Sequence, residues 1–303
     1  MEGLRVPSGV EEPIICNIKS GLAHKHDLSE PAITYFLENM EYYEKRANVY
    51  GYDDDAARWA LLSRGALEFV RAHNEWRPDI IVACDWQGGL LANFIHVNYK
   101  NDPILSKIPV VFSIHNLQYQ GMFDHRLVSE MDYDDGKSEI PAINDSRMLK
   151  LSFMRRGIMH SDVINTVSPT YAKEITTPDY GEYLEGLLSE RRSRLFGILN
   201  GIDYVTNNPE TDSFVEQHYT FKKINERAKN KKVLRQKFNL PEPEHDRNNP
   251  PIIAIVSRLS EQKGLDLVME AIEPLINSSD IQFIILGTGE SKYISYFQEL
   301  DKK

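Results

Sequence analysis

Short, continuously apolar segments alternate with amphipathic segments along most of this chain, and that alternation limits the possible folds more than any other feature. The runs "PDIIVACD" (78–85), "IPVVFSIHN" (108–116) and "DVINTVS" (162–168) are typical of strands buried on both faces. Between them, "WQGGLLANFIHVNY" and "RMLKLSFMRRGIMHS" carry apolar residues at helical spacing. The pattern predicts an α/β fold with a parallel, doubly wound sheet.

Further elements extend this pattern on both sides. "DDDAARWALLSRGALEFVRAH" (53–73) predicts a helix with an acidic first turn, and "SRLFGILNGID" (193–203) predicts a short fourth strand. Residues 1–52 are predicted to be irregular, apart from a strand in "PAITYFL" (31–37).

A change of character between 204 and 249 predicts a domain boundary. This segment holds a basic amphipathic helix, "FKKINERAKNKKVLRQKFNL", and then "PEPEHDRNNPP", which is rich in proline, asparagine and charge. After it, the buried strand "PIIAIVS", the helix "GLDLVMEAIEPLIN" and the strand in "IQFIILGTGE" restart the pattern. We therefore predict a Rossmann-like N-terminal domain at 1–203, a helix and linker at 204–249, and the start of an incomplete second Rossmann-like domain at 250–303.

Charge and composition exclude several classes of function. A net charge of -10 argues against non-specific binding to nucleic acid or to an anionic membrane, so the basic helix at 221–238 is interpreted as a solvated surface. Cys16 and Cys84 have neither CxxC nor zinc spacing, and no run of about 18 apolar residues suggests a membrane helix. We expect a soluble protein of the reducing cytosol.

Polar residues follow strand after strand. In open parallel sheets the ligand lies outside the carboxyl ends of the strands. The recurrence of polar residues there predicts one cleft lined by residues of both domains. At any single strand end, the ordinary passage of the chain into water explains a polar residue equally well. The residues concerned are Asp85 and Trp86, His115 and Asn116, Ser168, Asn200 and Gly201, Arg258, and Gly287 to Gly289.

Two cations stand together in "VSRLSEQKGLDL" (256–267), just beyond a predicted strand. Arg258 offers a planar fork for phosphate oxygens and Lys263 a compact point charge, while Gly264 opens a helix whose first amides favour anions. The arrangement favours a phosphate-bearing ligand. Two solvated surface cations are the alternative.

Taken in order, several motifs resemble the glycogen synthase and bacterial starch synthase family of retaining glucosyltransferases. They are "YGYDDDAARWALLSRGALE", "PDIIVACDWQGGL", "VVFSIHNLQYQGMF", "SDVINTVSPTYAKEI", "LEGLL", "GILNGIDY", "SRLSEQKGLDL" and "LGTGE". The resemblance extends over about residues 31 to 299. It implies a two-domain GT-B fold with the sugar nucleotide between the domains. It also implies transfer of glucose, usually from ADP-glucose, to the non-reducing end of an α-1,4-glucan, with retention of configuration and without a metal ion.

The resemblance also assigns roles to residues. It implies that His115 lies beside the donor glucose and that Arg258 and Lys263 neutralise the leaving diphosphate, and these three are the predicted catalytic residues. A tryptophan in the position of Trp86 packs in the core as often as it contacts a sugar ring. Asn200–Gly201 is predicted to form a tight turn. The glycines at 287–289 suit an ordinary strand-end turn as well as a ligand contact. The predicted substrate-binding residues are Asp85, Trp86, Asn116, Tyr119, Asn200, Gly201, Gly287 and Thr288.

Two family motifs are missing from the sequence. In the family, a K-x-G-G-L loop follows the first strand, and "IKSGLAH" (18–24) resembles it only superficially. The family's glutamate-bearing loop is expected beyond Lys303. We therefore expect a chain that is truncated at both ends, lacks the first βα unit and is poorly active by itself.

Three alternatives follow from the residues. A related GT-B transferase using UDP-glucose stays open, because the sequence does not separate the donors. A non-catalytic glucan-binding remnant is the alternative from a different class. A Rossmann dehydrogenase is disfavoured, because no strand is followed by G-x-G-x-x-G. No cofactor is expected; the expected partners are the nucleotide sugar and the glucan, and the oligomeric state stays open.

Overall fold

The computed structural model describes residues 1–22, 32–123, 134–243 and 249–302. It divides into two compact units, Met1–Gly201 and Ile202–Lys303. The segment predicted as helix and linker, 204–249, belongs to the second unit.

A four-stranded parallel sheet forms the centre of the first unit. Its order is β4-β5-β6-β7, and Ile81 of β4 pairs with Val110 of β5. In the middle of the sheet, Phe112 and Ile114 are fully buried, as the unbroken apolar run predicts for a central strand. The strands are β4 (Ile81–Cys84), β5 (Val110–Ile114), β6 (Val163–Thr166) and β7 (Leu195–Gly197).

Helices alternate with these strands, as the sequence predicts. Local capping sets two of their starts: the Ser152 hydroxyl accepts a hydrogen bond from the Arg155 amide (3.2 Å), and Ser168 caps the next helix, which has Pro169 in its first turn. The helices of this unit are α1 (Asp55–Ala72), α2 (Gly89–Val97), α3 (Phe153–His160), α4 (Pro169–Glu174) and α5 (Glu185–Glu190). Shorter helical turns lie at Met40–Glu44, Trp86–Gly88, Leu105–Lys107, Ser146–Lys150 and Arg192–Arg194.

A small antiparallel sheet precedes α1. It consists of β1 (Leu4–Val6), β2 (Ile14–Leu22) and β3 (Ile33–Glu38), in the order β1-β2-β3. The predicted strand in "PAITYFL" corresponds to β3, but the prediction that the rest of 1–52 is irregular was wrong. In β2, Cys16 and Ile18 alternate with exposed residues, so only two side chains of a nine-residue strand give a burial signal.

The prediction that β4 is buried on both faces was also wrong. Val82 in its middle is 60% exposed, whereas its neighbour Ala83 is buried. The reason is the position of β4 at the edge of the sheet: in the described part of the chain it pairs with β5 on one side only. An apolar run in the sequence does not reveal whether a neighbouring strand covers it.

Within its described residues, the second unit is built on two parallel strands and three helices. Arg235, the one buried basic residue of its first helix, donates to Gln282 Oε1 (2.9 Å) and to the Pro250 carbonyl oxygen (2.8 Å), which fastens that helix to the sheet. The elements are α6 (Ala228–Lys237), β8 (Ile252–Val256), α7 (Leu265–Ser278), β9 (Gln282–Leu286) and α8 (Ser291–Leu300), with helical turns at Phe221–Arg227 and Glu261–Lys263.

This unit has a small core. Its buried apolar cluster contains Leu259, Leu265, Ile272, Tyr293 and Phe297. The prediction of a buried β8 was wrong, because no residue of that strand is fully buried in a sheet of two described strands. Among the described residues, no helix has both the length and the apolar composition needed to cross a bilayer.

Candidate functional site

The carboxylate of Asp85 joins the carboxyl ends of β4 and β5. Its Oδ1 accepts hydrogen bonds from the backbone amides of His115 (2.7 Å) and Asn116 (3.3 Å), and its own amide donates to the Ser113 carbonyl oxygen (2.8 Å). Asp85 has φ 48° and ψ -169°, a backbone conformation that L-residues rarely adopt. The structure thus brings three predicted site residues together, with Asp85 holding the turn that carries the other two.

Further hydrogen bonds fix this turn. The exposed His115 ring has its Nε2 3.2 Å from the Ser113 hydroxyl, and Asn116 Oδ1 accepts from the Gln118 amide (3.1 Å). The Leu117 amide donates to the hydroxyl of Tyr171 (3.3 Å). The His115 imidazole is therefore presented to solvent from a backbone held at several points.

Tyr171, at the start of α4, supports the turn and was not predicted as a site residue. Burial raises the pKa of its hydroxyl; the Leu117 amide acts in the opposite sense, and the carboxylates of Glu182 and Asp85 raise the pKa further. The hydroxyl is therefore neutral near pH 7, and its oxygen accepts a hydrogen bond from the Leu117 amide. Tyr171 lies in "SDVINTVSPTYAKEI", one of the motifs that resemble the family, and this motif was the sequence signal that could have identified it.

A cavity of about 410 Å³ lies beside this turn. Tyr119, 45% exposed, lines it together with Trp86 and Phe123. Trp86 itself is only 9% exposed and packs edge-on against Trp59 and Phe123, with ring centroids 5.5 and 5.4 Å away. Most of the Trp86 ring therefore belongs to the core, and Tyr119 is the more accessible aromatic side chain. At Gly121, where φ is +63°, a Cβ would come within 2.6 Å of the Trp86 ring.

Asn200 and Gly201 stand apart from this group. They follow β7, which is two strand positions from β5, or about 10 Å at the usual strand spacing. The predicted tight turn is wrong: 198–203 contain no turn, and Gly201 has no positive φ. Both residues are exposed at the end of the first unit, where no hairpin partner imposes the turn that an Asn-Gly pair otherwise favours.

In the second unit, Arg258 and Lys263 both lie exposed on the segment between β8 and α7. Neither forms an ion pair with any carboxylate in the described part of the chain. Gly264, with φ 70°, ends the short turn at Glu261–Lys263 and serves as the N-cap of α7 without a capping side chain. Two cations and the uncapped start of a fourteen-residue helix thus share one short segment, which suits an anion.

Backbone packing against the segment after β8 accounts for a glycine after β9. The Leu259 amide donates to the Thr288 carbonyl oxygen (2.9 Å), and the Glu290 amide donates to the Leu259 carbonyl oxygen (2.8 Å), so the two strand ends continue side by side. A Cβ at Gly287 would lie 2.0 Å from the Ser257 carbonyl oxygen. Close packing of the backbone requires this glycine whether or not a ligand is bound. No group of three or more potential metal ligands occurs among the residues whose positions are described.

Comparison with known proteins assigns the chain. Residues 8–190 match the family model of the starch synthase catalytic domain. The chain belongs to this family. Over 275 residues it is 40% identical to the glycogen synthase of Clostridium beijerinckii, covering 89% of this chain and 55% of the relative. It is also 41% identical over 271 residues to the glycogen synthase of Fervidobacterium nodosum, covering 89% and 54% respectively.

A solved structure supports the same assignment. The catalytic domain of starch synthase IV from Arabidopsis thaliana, bound to ADP and acarbose, matches 98% of this chain and 59% of its own, with a TM-score of 0.78 and 26% identity. The family resemblance and the α/β fold of GT-B type are confirmed. The chain spans a little over half the length of the glycogen synthases that it matches.

Proposed function

We propose that this chain is a glucosyltransferase of the glycogen and starch synthase type. It transfers glucose from ADP-glucose to the non-reducing end of an α-1,4-glucan and retains the anomeric configuration. The family membership, the similarity to glycogen synthases and the similarity to a structure bound to ADP and acarbose all support this proposal. The observation that carries it is the pair Arg258 and Lys263, two exposed cations without a described carboxylate partner in a chain of this family.

The donor side of the reaction needs positive charge at the diphosphate. Breaking the glucosyl–phosphate bond builds negative charge on the leaving phosphate oxygens, and fixed cations stabilise that charge in the transition state. The Arg258 guanidinium binds two phosphate oxygens at once, while the Lys263 ammonium acts as a point charge. The first amides of α7 add to the positive potential. These groups take the place of a metal ion, and no cofactor takes part.

The sugar side needs a rigid contact next to the anomeric carbon. Positive charge develops at that carbon as the leaving group departs. His115 orients the donor glucose and stabilises this charge through its carbonyl oxygen or its ring, and the Asp85 carboxylate keeps the turn in place. Asn116, Asn200 and Gly201 complete the donor contacts. The glucan acceptor lies against the cavity lined by Tyr119 and Trp86.

Transfer of labelled glucose tests the proposal. The purified chain is incubated with glycogen and either ADP-[14C]glucose or UDP-[14C]glucose, and its retention on glycogen is measured in parallel. We expect retention on glycogen and only slow label transfer from the ADP sugar, because the chain by itself is expected to be poorly active. Retention without transfer from either donor would support the non-catalytic glucan-binding alternative, and transfer only from the UDP sugar would overturn the assigned donor. Absence of both retention and transfer would reject the proposed function. A cytoplasmic location stays a prediction.

A further inference from the structure

The hydroxyl of Ser113 is a buried polar group whose hydrogen bond lies inside the candidate site. Ser113 is 6% exposed and stands in β5 between Phe112 and Ile114, both of which are fully buried. Its Oγ lies 3.2 Å from Nε2 of the exposed His115 ring. Among the described residues, this imidazole is the one hydrogen-bond partner of the hydroxyl. The serine in an otherwise apolar strand thus contacts a predicted catalytic residue.

A closed loop of hydrogen bonds connects Ser113, Asp85 and His115. The Ser113 carbonyl oxygen accepts a hydrogen bond from the Asp85 amide (2.8 Å), and Asp85 Oδ1 accepts one from the His115 amide (2.7 Å). The contact between the Ser113 hydroxyl and the His115 ring completes the loop. Asp85 therefore holds the backbone of His115, and Ser113 holds its side chain.

The direction of the hydroxyl bond decides which ring nitrogen of His115 carries the hydrogen. A neutral imidazole has one N–H donor and one acceptor nitrogen, and the bond made by one nitrogen sets the state of the other. If Nε2 donated to Ser113 Oγ, the buried serine hydrogen would have no acceptor in the described part of the chain. If the hydroxyl donates to Nε2, both groups are satisfied and the ring hydrogen lies on Nδ1. Nδ1 forms no hydrogen bond with a described residue, so it is the nitrogen available to a ligand.

We propose that Ser113 is a positioning residue for His115. Its hydroxyl donates to Nε2, holds the imidazole in the Nδ1–H tautomer and thereby presents a fixed N–H donor to a hydroxyl of the donor sugar. Neutral histidine in water favours the other tautomer, with the hydrogen on Nε2, so Ser113 changes the state of the ring. A donor that is already oriented loses less conformational entropy when the sugar binds. The ligand in this inference rests on the proposed function, whereas the tautomer is a property of the chain alone.

Three variants separate the hydroxyl from the packing of β5. Ser113→Ala removes the hydroxyl, and Ser113→Thr keeps it on a residue type that suits a strand. Ser161→Ala is the matched control, because Ser161 is 3% exposed and its hydroxyl has no hydrogen-bond partner within the described structure.

Two measurements are made on the full 303-residue chain. Long-range 1H–15N NMR correlation of the histidine rings reports the tautomer at about pH 8.5, where histidine is ordinarily neutral. The signal of His115 is the one that His115→Gln removes. Calorimetry gives the Kd for ADP-glucose and for ADP, and the ratio of the two isolates the contacts made by the sugar.

We expect the Nδ1–H tautomer at His115 in the wild type, Ser113→Thr and Ser161→Ala, and the Nε2–H tautomer in Ser113→Ala. Ser113→Ala should weaken the binding of ADP-glucose relative to ADP about three- to tenfold, the contribution of one hydrogen bond. The other two variants should keep this ratio within about twofold of the wild type, because neither loses the Ser113 hydroxyl.

Several results would overturn the inference and leave the proposed function intact. They are a wild-type His115 in the Nε2–H tautomer, an Nδ1–H tautomer in Ser113→Ala, and a wild-type binding ratio in Ser113→Ala. A Ser113→Thr variant that behaves like Ser113→Ala would show that packing sets the ring, which also contradicts the inference. Should Ser113→Ala fail to fold, the wild-type tautomer still decides the direction of the bond. A wild-type chain that binds neither ADP-glucose nor ADP would reject the proposed function and the ligand inferred for His115, whichever tautomer the ring adopts.

Discussion

Replacing Asp85 by alanine should loosen the turn that carries His115 and Asn116. The change removes the acceptor of a 2.7 Å and a 3.3 Å hydrogen bond from backbone amides. A bond to a carboxylate contributes about 1.5–3 kcal/mol, and the longer second bond contributes less. Water reaches this exposed turn and replaces part of what is lost, so we expect a net local cost of about 1–2 kcal/mol. At 1.4 kcal/mol per factor of ten, the turn should open about 5- to 30-fold more often.

Amide hydrogen exchange at His115 and Asn116 measures this opening, because exchange requires the amide to leave Oδ1. Asp85→Asn is the matched variant: it keeps an acceptor oxygen at the same position, so exchange should rise less than in Asp85→Ala. Asp85→Gly removes the same acceptor, so its amides should exchange as fast as those of the alanine variant. Because glycine also relieves the strain at φ 48°, the free energy of unfolding should be about 1 kcal/mol higher for Asp85→Gly than for Asp85→Ala. Unchanged exchange in Asp85→Ala, or equal effects of alanine and asparagine, would refute this role.

Three further predictions concern stability, each followed by urea unfolding. Arg156→Met should lower the free energy of unfolding by about 3–5 kcal/mol, because it leaves its fully buried partner Asp134 without a counter-ion at the present 2.7 Å contact; a loss below about 1 kcal/mol would contradict this. Burial lowers the pKa of His160, with nearby cationic groups adding to the effect, so its neutral form supports the fold above about pH 6.5, and that stability is lost as the pH falls through its folded pKa. His160→Gln should therefore flatten the decline in unfolding free energy between pH 7.5 and 5; an unchanged pH profile would oppose this assignment. Gly287→Ala should cost about 1–3 kcal/mol in the second unit, since the added Cβ meets the Ser257 carbonyl oxygen; a neutral effect would show that the strand ends can separate.

The sequence predicts where the strands and helices lie better than it predicts which of their residues are buried by neighbouring elements. The apolar runs at β5 and β9 and the periodic segments at α1 and α7 lie where the pattern places them, because local residue order determines both. Exposure of Val82 in β4 could not be predicted, because it depends on which strand lies alongside. The same reason applies to β8, and β2 escaped detection because few of its side chains are buried.

The candidate site shows the same division. Arg258 and Lys263 could be chosen from the sequence, because charge and spacing carry the argument. The role of Asp85 depends on a positive φ value and on hydrogen bonds from backbone amides 30 and 31 positions away, which no local pattern encodes. Gly287 could be chosen from the sequence as a candidate for substrate binding, but the close contact that requires a glycine there is with the chain's own backbone at Ser257.

Titration with ADP tests the central claim, that Arg258 and Lys263 hold the diphosphate of the donor. Binding to the wild-type chain is measured by calorimetry beside Arg258→Gln, Lys263→Gln and Lys222→Gln, the last removing one positive charge from another exposed position of the same unit. Each lost charged hydrogen bond is worth about 1.5–3 kcal/mol, so we expect each of the first two variants to raise the Kd at least tenfold and Lys222→Gln to leave it within about twofold. Wild-type ADP affinity in both Arg258→Gln and Lys263→Gln would contradict the claim.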